Sequence, residues 1–133
     1  MTLKTALVAI AALTVATPSI AKDFRAPNNM RVAATGDATF TVSGRAKHGA
    51  RSYWCAAGDY ARRKLNLSLA ARLYVADAIS GNTGPVGFSA SPTGLEPRRF
   101  TSLSKTLRNP GAYISVGQAQ TFCAENQIFF NRP

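Results

Sequence analysis

Two thiols, one imidazole and six carboxylates are the side chains of this 133-residue sequence that could do covalent or acid–base chemistry. A cysteine nucleophile at Cys55 would need a general base beside it, and His48 is the sole histidine. His48 lies in a glycine-containing basic loop with no acid near it in sequence, whereas a histidine base is ordinarily oriented by a carboxylate or carbonyl. The acids, Asp23, Asp37, Asp59, Asp77, Glu96 and Glu125, are each more than four residues from the next, so no local pair exists for acid–base work. Asp59, three residues before Arg62, is expected to form an i, i+3 ion pair with it. Cys55, Cys123 and His48 match no zinc-ligand spacing. Dispersed acids form no oxygen cage for calcium or magnesium. Residues 81–84 (GNTG) lack the lysine and the following helix of a phosphate loop. No catalytic residue, metal site or cofactor is therefore assigned.

The cysteines have a simpler role once the compartment is considered. Lys4 supplies a short positive region, residues 6–15 (ALVAIAALTV) are apolar and uncharged, and Pro18 precedes the small residues Ser19-Ile20-Ala21. These are the three parts of a secretory signal peptide, predicted over residues 1–21. Thr14-Val15-Ala16 offers small residues for an alternative cut. A bilayer-spanning helix needs ~20 apolar residues, about twice this run. The protein is thus expected to be exported, to the periplasm or the extracellular space, where two cysteines form a bridge. A Cys55–Cys123 disulfide would stabilise the fold by roughly 4 kcal/mol in the chain-entropy model.

Processing would leave residues 22–133 as a single basic domain. Of the 16 Lys and Arg in the sequence only Lys4 departs, so 15 remain against 6 Asp and Glu, a net charge of +9. Such a field attracts anions, and the surplus is mostly arginine, whose planar fork matches carboxylate and phosphate.

The elements that must carry these charges can be placed. Residues 22–29 form a lead-in arm. Residues 30–34 and 38–42 form a hairpin around Thr35-Gly36-Asp37, with Phe40 and Val42 alternating against Thr39 and Thr41. Residues 43–52 (SGRAKHGARS) are a basic loop ending at Ser52, which is expected to cap a helix over residues 53–65. Trp54, Ala57, Ala61 and Leu65 give that helix one apolar face, and Arg62, Arg63 and Lys64 fall in its last turn, where the dipole favours cations. Gly58 weakens the helix by ~1 kcal/mol, which a closely packed neighbouring backbone would justify. Alternation and β-branching favour a strand from about Arg72, a turn over residues 80–85 and a partner strand over 86–90. Residues 98–109 are read as either a third long strand or an irregular basic loop. Ser115 and Gln118 have the capping-box form, predicting a helix over residues 116–126 that points Cys123 inward. Ile128-Phe129-Phe130 is apolar enough to pack back on the domain. The predicted class is α+β, a small antiparallel sheet of about four strands with two helices joined by one disulfide.

These features favour a non-catalytic exported module whose basic surface takes an anionic partner: an acidic protein, a glycan or lipid head groups, with inhibitor-like proteins in the same class. The candidate contacts are Arg45, Lys47 and Arg51 in the first basic loop, and Arg98, Arg99, Lys105 and Arg108 in the second stretch. Interleaved Tyr53, Trp54 and Phe100 would suit single-stranded nucleic acid, but export removes most nucleic acid from reach. The rival is a small exported hydrolase using His48 and Asp59, with arginines clamping an oxyanion.

Overall fold

The computed structural model describes residues 24–100 and 102–130. The signal peptide expected over residues 1–21 lies outside them. One antiparallel sheet is built from β1 (Phe24–Arg25), β2 (Arg31–Ala34), β3 (Thr39–Ser43), β4 (Arg72–Asp77), β5 (Val86–Ser89) and β6 (Tyr113–Ser115), in the order β1-β2-β3-β5-β4-β6. Three helices accompany it, α1 (Ala50–Arg63), α2 (Leu103–Thr106) and α3 (Val116–Phe130).

Local signals placed much of this. In the first hairpin Val32 pairs with Val42 and Ala34 with Phe40, and the Thr35 and Gly36 N–H groups donate to the Thr39 carbonyl to close the turn. Strand β4 starts at Arg72 and runs antiparallel to β5, with a bulge between Val75 and Asp77. The Gln118 N–H donates to Ser115 Oγ at 3.1 Å, as a capping serine requires, and α3 begins at Val116.

The α+β class holds, but the sheet has six strands, not about four, and there are three helices, not two. The lead-in arm supplies β1, paired to β2 through Phe24–Val32 and Arg25–Arg31. Strand β6 pairs Ile114 with Leu73. At two and three residues, neither strand is long enough to show a period. Residues 98–109 are neither a long strand nor wholly irregular. Arg98 makes one parallel bridge to Ala112, and residues 103–106 wind into α2. Helix α1 begins at Ala50, three residues before the expected start.

Alternation sends Val32, Phe40, Val42, Leu73, Val75, Val86, Phe88 and Ile114 into one core with α1. Trp54 meets Phe88 edge-on at 5.0 Å, and Tyr60 lies 4.6 Å from Phe40, centroid to centroid. Every residue of α1 from Ser52 to Ala61 is buried. The sequence showed one apolar face, but α1 has the sheet on one side and α3 on another, so its alanines and Gly58 face protein as well. A Cβ on Gly58 would stand 2.7 Å from Ala119 Cβ and 3.1 Å from the Gln120 nitrogen, the close backbone approach that its presence in a helix demanded. One turn away Cys55 and Cys123 form a disulfide with Cα atoms 4.9 Å apart. The side chains of Ile128, Phe129 and Phe130 lie outside the description.

A measurable consequence attaches to Gly58. Alanine would improve helix propensity by ~1 kcal/mol, but overpacking against Ala119 costs ~1–3 kcal/mol. Gly58→Ala should therefore lower stability by about 1 kcal/mol net, read as a lower urea midpoint. A raised midpoint would mean that α1 and α3 have room to separate.

Candidate functional site

The start of α1 is shaped by backbone chemistry. Gly49 adopts φ 62°, ψ −132°, a conformation disfavoured for residues with a Cβ. Ser52, expected to cap from outside the helix, sits in its first turn. Its Oγ accepts the His48 N–H at 2.9 Å, and its carbonyl accepts from Asn28 Nδ2 at 2.8 Å.

A short helix such as α2 has little stability of its own. It is anchored by Trp54, which is fully buried and donates its indole N–H to Thr106 Oγ1 at 2.9 Å. The Thr106 hydroxyl in turn donates to the Leu103 carbonyl at 2.6 Å. The Ile79 N–H donates to the Leu107 carbonyl, and Arg108 Nη2 donates to Asn82 Oδ1 at 2.7 Å. The Tyr53 hydroxyl donates to the Gly84 carbonyl at 2.8 Å. Burial pushes this phenol above its ordinary pKa, so the neutral, donating form is favoured.

These contacts tie three stretches of chain around a cavity of about 380 Å³. Gly49, Ala50 and Tyr53 come from the start of α1, and Ile79, Gly81 and Asn82 from the turn between β4 and β5. Ser104, Lys105, Leu107 and Arg108 come from α2 and the residues after it. Two cations line the cavity and no acid does. An anion entering it would meet Lys105 as a point charge and Arg108 as a fork held by Asn82.

The structure divides the seven sequence-predicted contacts. All are exposed, but only Lys105 and Arg108 line the cavity. Arg45 and Lys47 belong to the loop that ends at Gly49. Arg51 turns towards α3, its guanidinium 6.0 Å from the Phe122 ring centroid. Arg98 lies 3.6 Å from Glu96 Oε2, and Arg99 follows it on the same exposed segment. The aromatic half of the basic-plus-aromatic pattern is largely core: Trp54 and Tyr53 are buried and Phe100 half-buried. Asn82, Ser104, Ile79 and Ala50 were not named from sequence. The turn over residues 80–85 was visible, but no signal tied it to residues 103–108.

Asp59 bonds Arg63, not Arg62. Its carboxylate accepts from Arg63 Nε at 3.0 Å and Nη2 at 2.7 Å, while Arg63 also covers the Phe24 ring at 4.8 Å. The i, i+4 partner reaches back over the same face as Asp59 and finds an aromatic to lie on. His48 precedes α1, and about 14 Å of helix rise separates Ala50 from Asp59, so the two residues of the hydrolase reading are not brought together.

Among the described residues no group of three or more His, Cys, Asp or Glu could hold a metal ion, and no helix is long and apolar enough to cross a membrane. No buried side-chain nitrogen or oxygen among them lacks a hydrogen-bond partner. Comparison with protein-family models, curated proteins and solved structures finds no match to this chain.

Proposed function

We propose that the protein is an exported, non-catalytic binding module whose basic surface, centred on the cavity at the start of α1, takes an anionic partner. The carrying observation is the convergence of Lys105 and Arg108 on an acid-free cavity whose walls are cross-tied by hydrogen bonds. The net charge of +9 that residues 22–133 carry supplies the long-range attraction. The disulfide suits an oxidising compartment. Acidic proteins, glycans and lipid head groups all present the required charge, and an inhibitor-like protein that seats an acidic group of an exported enzyme belongs to the same class. The hydrolase alternative has less support, because Asp59 is engaged by Arg63 and lies far along α1 from His48.

Two double charge reversals of equal net charge test this. Lys105→Glu with Arg108→Glu removes the cavity cations. Arg62→Glu with Lys64→Glu changes the far end of α1, about 18 Å along the axis from Ala50. Binding to polygalacturonate, polyphosphate and anionic vesicles would be measured at low salt. Charge-assisted contacts contribute ~1.5–3 kcal/mol each, so the first variant should lose at least about tenfold in affinity and the second much less. Equal losses would mean that overall charge alone matters. Absence of binding by the wild type to any polyanion or acidic protein, even at low salt, would refute the reading.

A further inference from the structure

We infer that the cavity takes a carboxylated sugar unit, a hexuronate residue of an acidic polysaccharide. This rests on the binding-module reading above and narrows its partner. A volume of about 380 Å³ falls at the lower end of small-molecule sites, more than a bare inorganic anion fills. The lining is divided: Ala50, Ile79 and Leu107 are apolar, whereas Asn82, Ser104, Lys105 and Arg108 are polar or cationic. A hexuronate is divided in the same way, with a C–H face, a rim of hydroxyls and one carboxylate on the ring. Arg108 presents a fork that matches a carboxylate bidentately, and its hydrogen bond to Asn82 Oδ1 limits its freedom. With Oδ1 so used, the Asn82 Nδ2 group is a donor available to a sugar oxygen, and Ser104, on the α2 side of the cavity, adds a hydroxyl that shares a hydrogen bond with Ser102.

The rest of the described surface favours a sugar over a lipid or a nucleic acid. Among the residues whose side chains are described, Leu69 is the only exposed large hydrophobic one and it does not line the cavity, so a lipid head group held there would find no apolar surface beside it among those residues. The aromatics beside the cavity are buried, which removes the stacking platform that single-stranded nucleic acid uses.

The test uses ¹⁵N-labelled protein titrated with trigalacturonate and, separately, with neutral trigalactose and triglutamate. Trigalacturonate should shift the amides of Gly49, Ala50, Ile79 and Asn82, with neutral trigalactose at least tenfold weaker. Ala50→Phe fills the cavity without altering charge and should weaken trigalacturonate binding at least tenfold, while amide resonances away from the cavity stay in place and show that the fold is kept. Should Ala50→Phe fail to fold, Ser104→Trp at the exposed rim blocks the same space. Trigalacturonate binding undiminished in the folded blocking variant, or shifts confined to other amides, overturns the inference while polyanion binding stands. Equal binding and equal shifts with triglutamate would assign the cavity to an acidic peptide and overturn the sugar. Absence of all polyanion and acidic-protein binding in the wild type removes the wider reading with it.

Discussion

Cys55→Ala or Cys123→Ala should each remove roughly 4 kcal/mol of stability, the loop-closure value for residues 68 apart in sequence. For a domain of this size that is a large share of an expected ~5–15 kcal/mol. The bridge ties the middle of α1, where Cys55 is fully buried, to α3 close to the Gly58–Ala119 contact. Without it the antiparallel sheet remains, but α3 is held only by its packing, its Ser115 cap and the backbone bonds of Val116 and Gly117 to Ala71 and Leu69. Because both single variants break the same covalent bond, their losses should be similar, and the double variant should cost little more than either. Native protein should resist thiol labelling until it is denatured and reduced. Urea midpoints matching wild type in both variants would show that the bridge contributes nothing to the fold.

Trp54→Ala should be as damaging, at ~3–5 kcal/mol, because it empties the centre of the core. Trp54 touches Phe88 on the sheet side and holds Thr106 of α2 through its indole N–H. The informative variant is Trp54→Phe, which retains much of the ring volume but not the donor. Losing that hydrogen bond should cost ~1–2 kcal/mol, and α2 should lose its tie to α1. Lys105 and Arg108 would then flank the cavity less rigidly, so anion affinity should fall severalfold although neither cation is changed. Thr106→Val, which removes the acceptor from the other side, should behave alike. Unaltered binding in both variants would show that the Trp54–Thr106 bond does not position the cations.

Where a residue pattern encoded structure locally, sequence alone placed the element well. Phe40 and Val42 alternating with threonines specify a one-sided strand, and Ser115 with Gln118 marks the first residue of α3. Gly58 in a helix asked for a close neighbour and has one. Strands β1 and β6 were not legible, because two or three residues carry no period and their pairing is decided by β2 and β4. The start of α1 was misplaced because Gly49, not Ser52, ends the loop, and its backbone conformation leaves no side-chain signal. Asp59 was given the wrong arginine because the choice depends on Phe24, which returns from far away in sequence. The same limit applies to the cavity. Lys105 and Arg108 were singled out by charge, but Asn82, Ile79 and Ala50 join them only through tertiary hydrogen bonds. Arg98 and Arg99, alike in composition, lie outside the cavity.

The most direct test of an anion-binding role centred on the cavity is the salt dependence of polygalacturonate binding. Each anionic group contacted on a highly charged polymer releases a bound counterion, as it does on DNA, so log affinity falls linearly with log salt in proportion to the number of contacts. Wild type should show a steep negative slope. Lys105→Glu with Arg108→Glu should flatten it by about one to two units. Arg62→Glu with Lys64→Glu, at the same net charge, should leave the slope nearly unchanged. A slope that responds equally to both reversals, or to neither, would contradict a partner seated at Lys105 and Arg108.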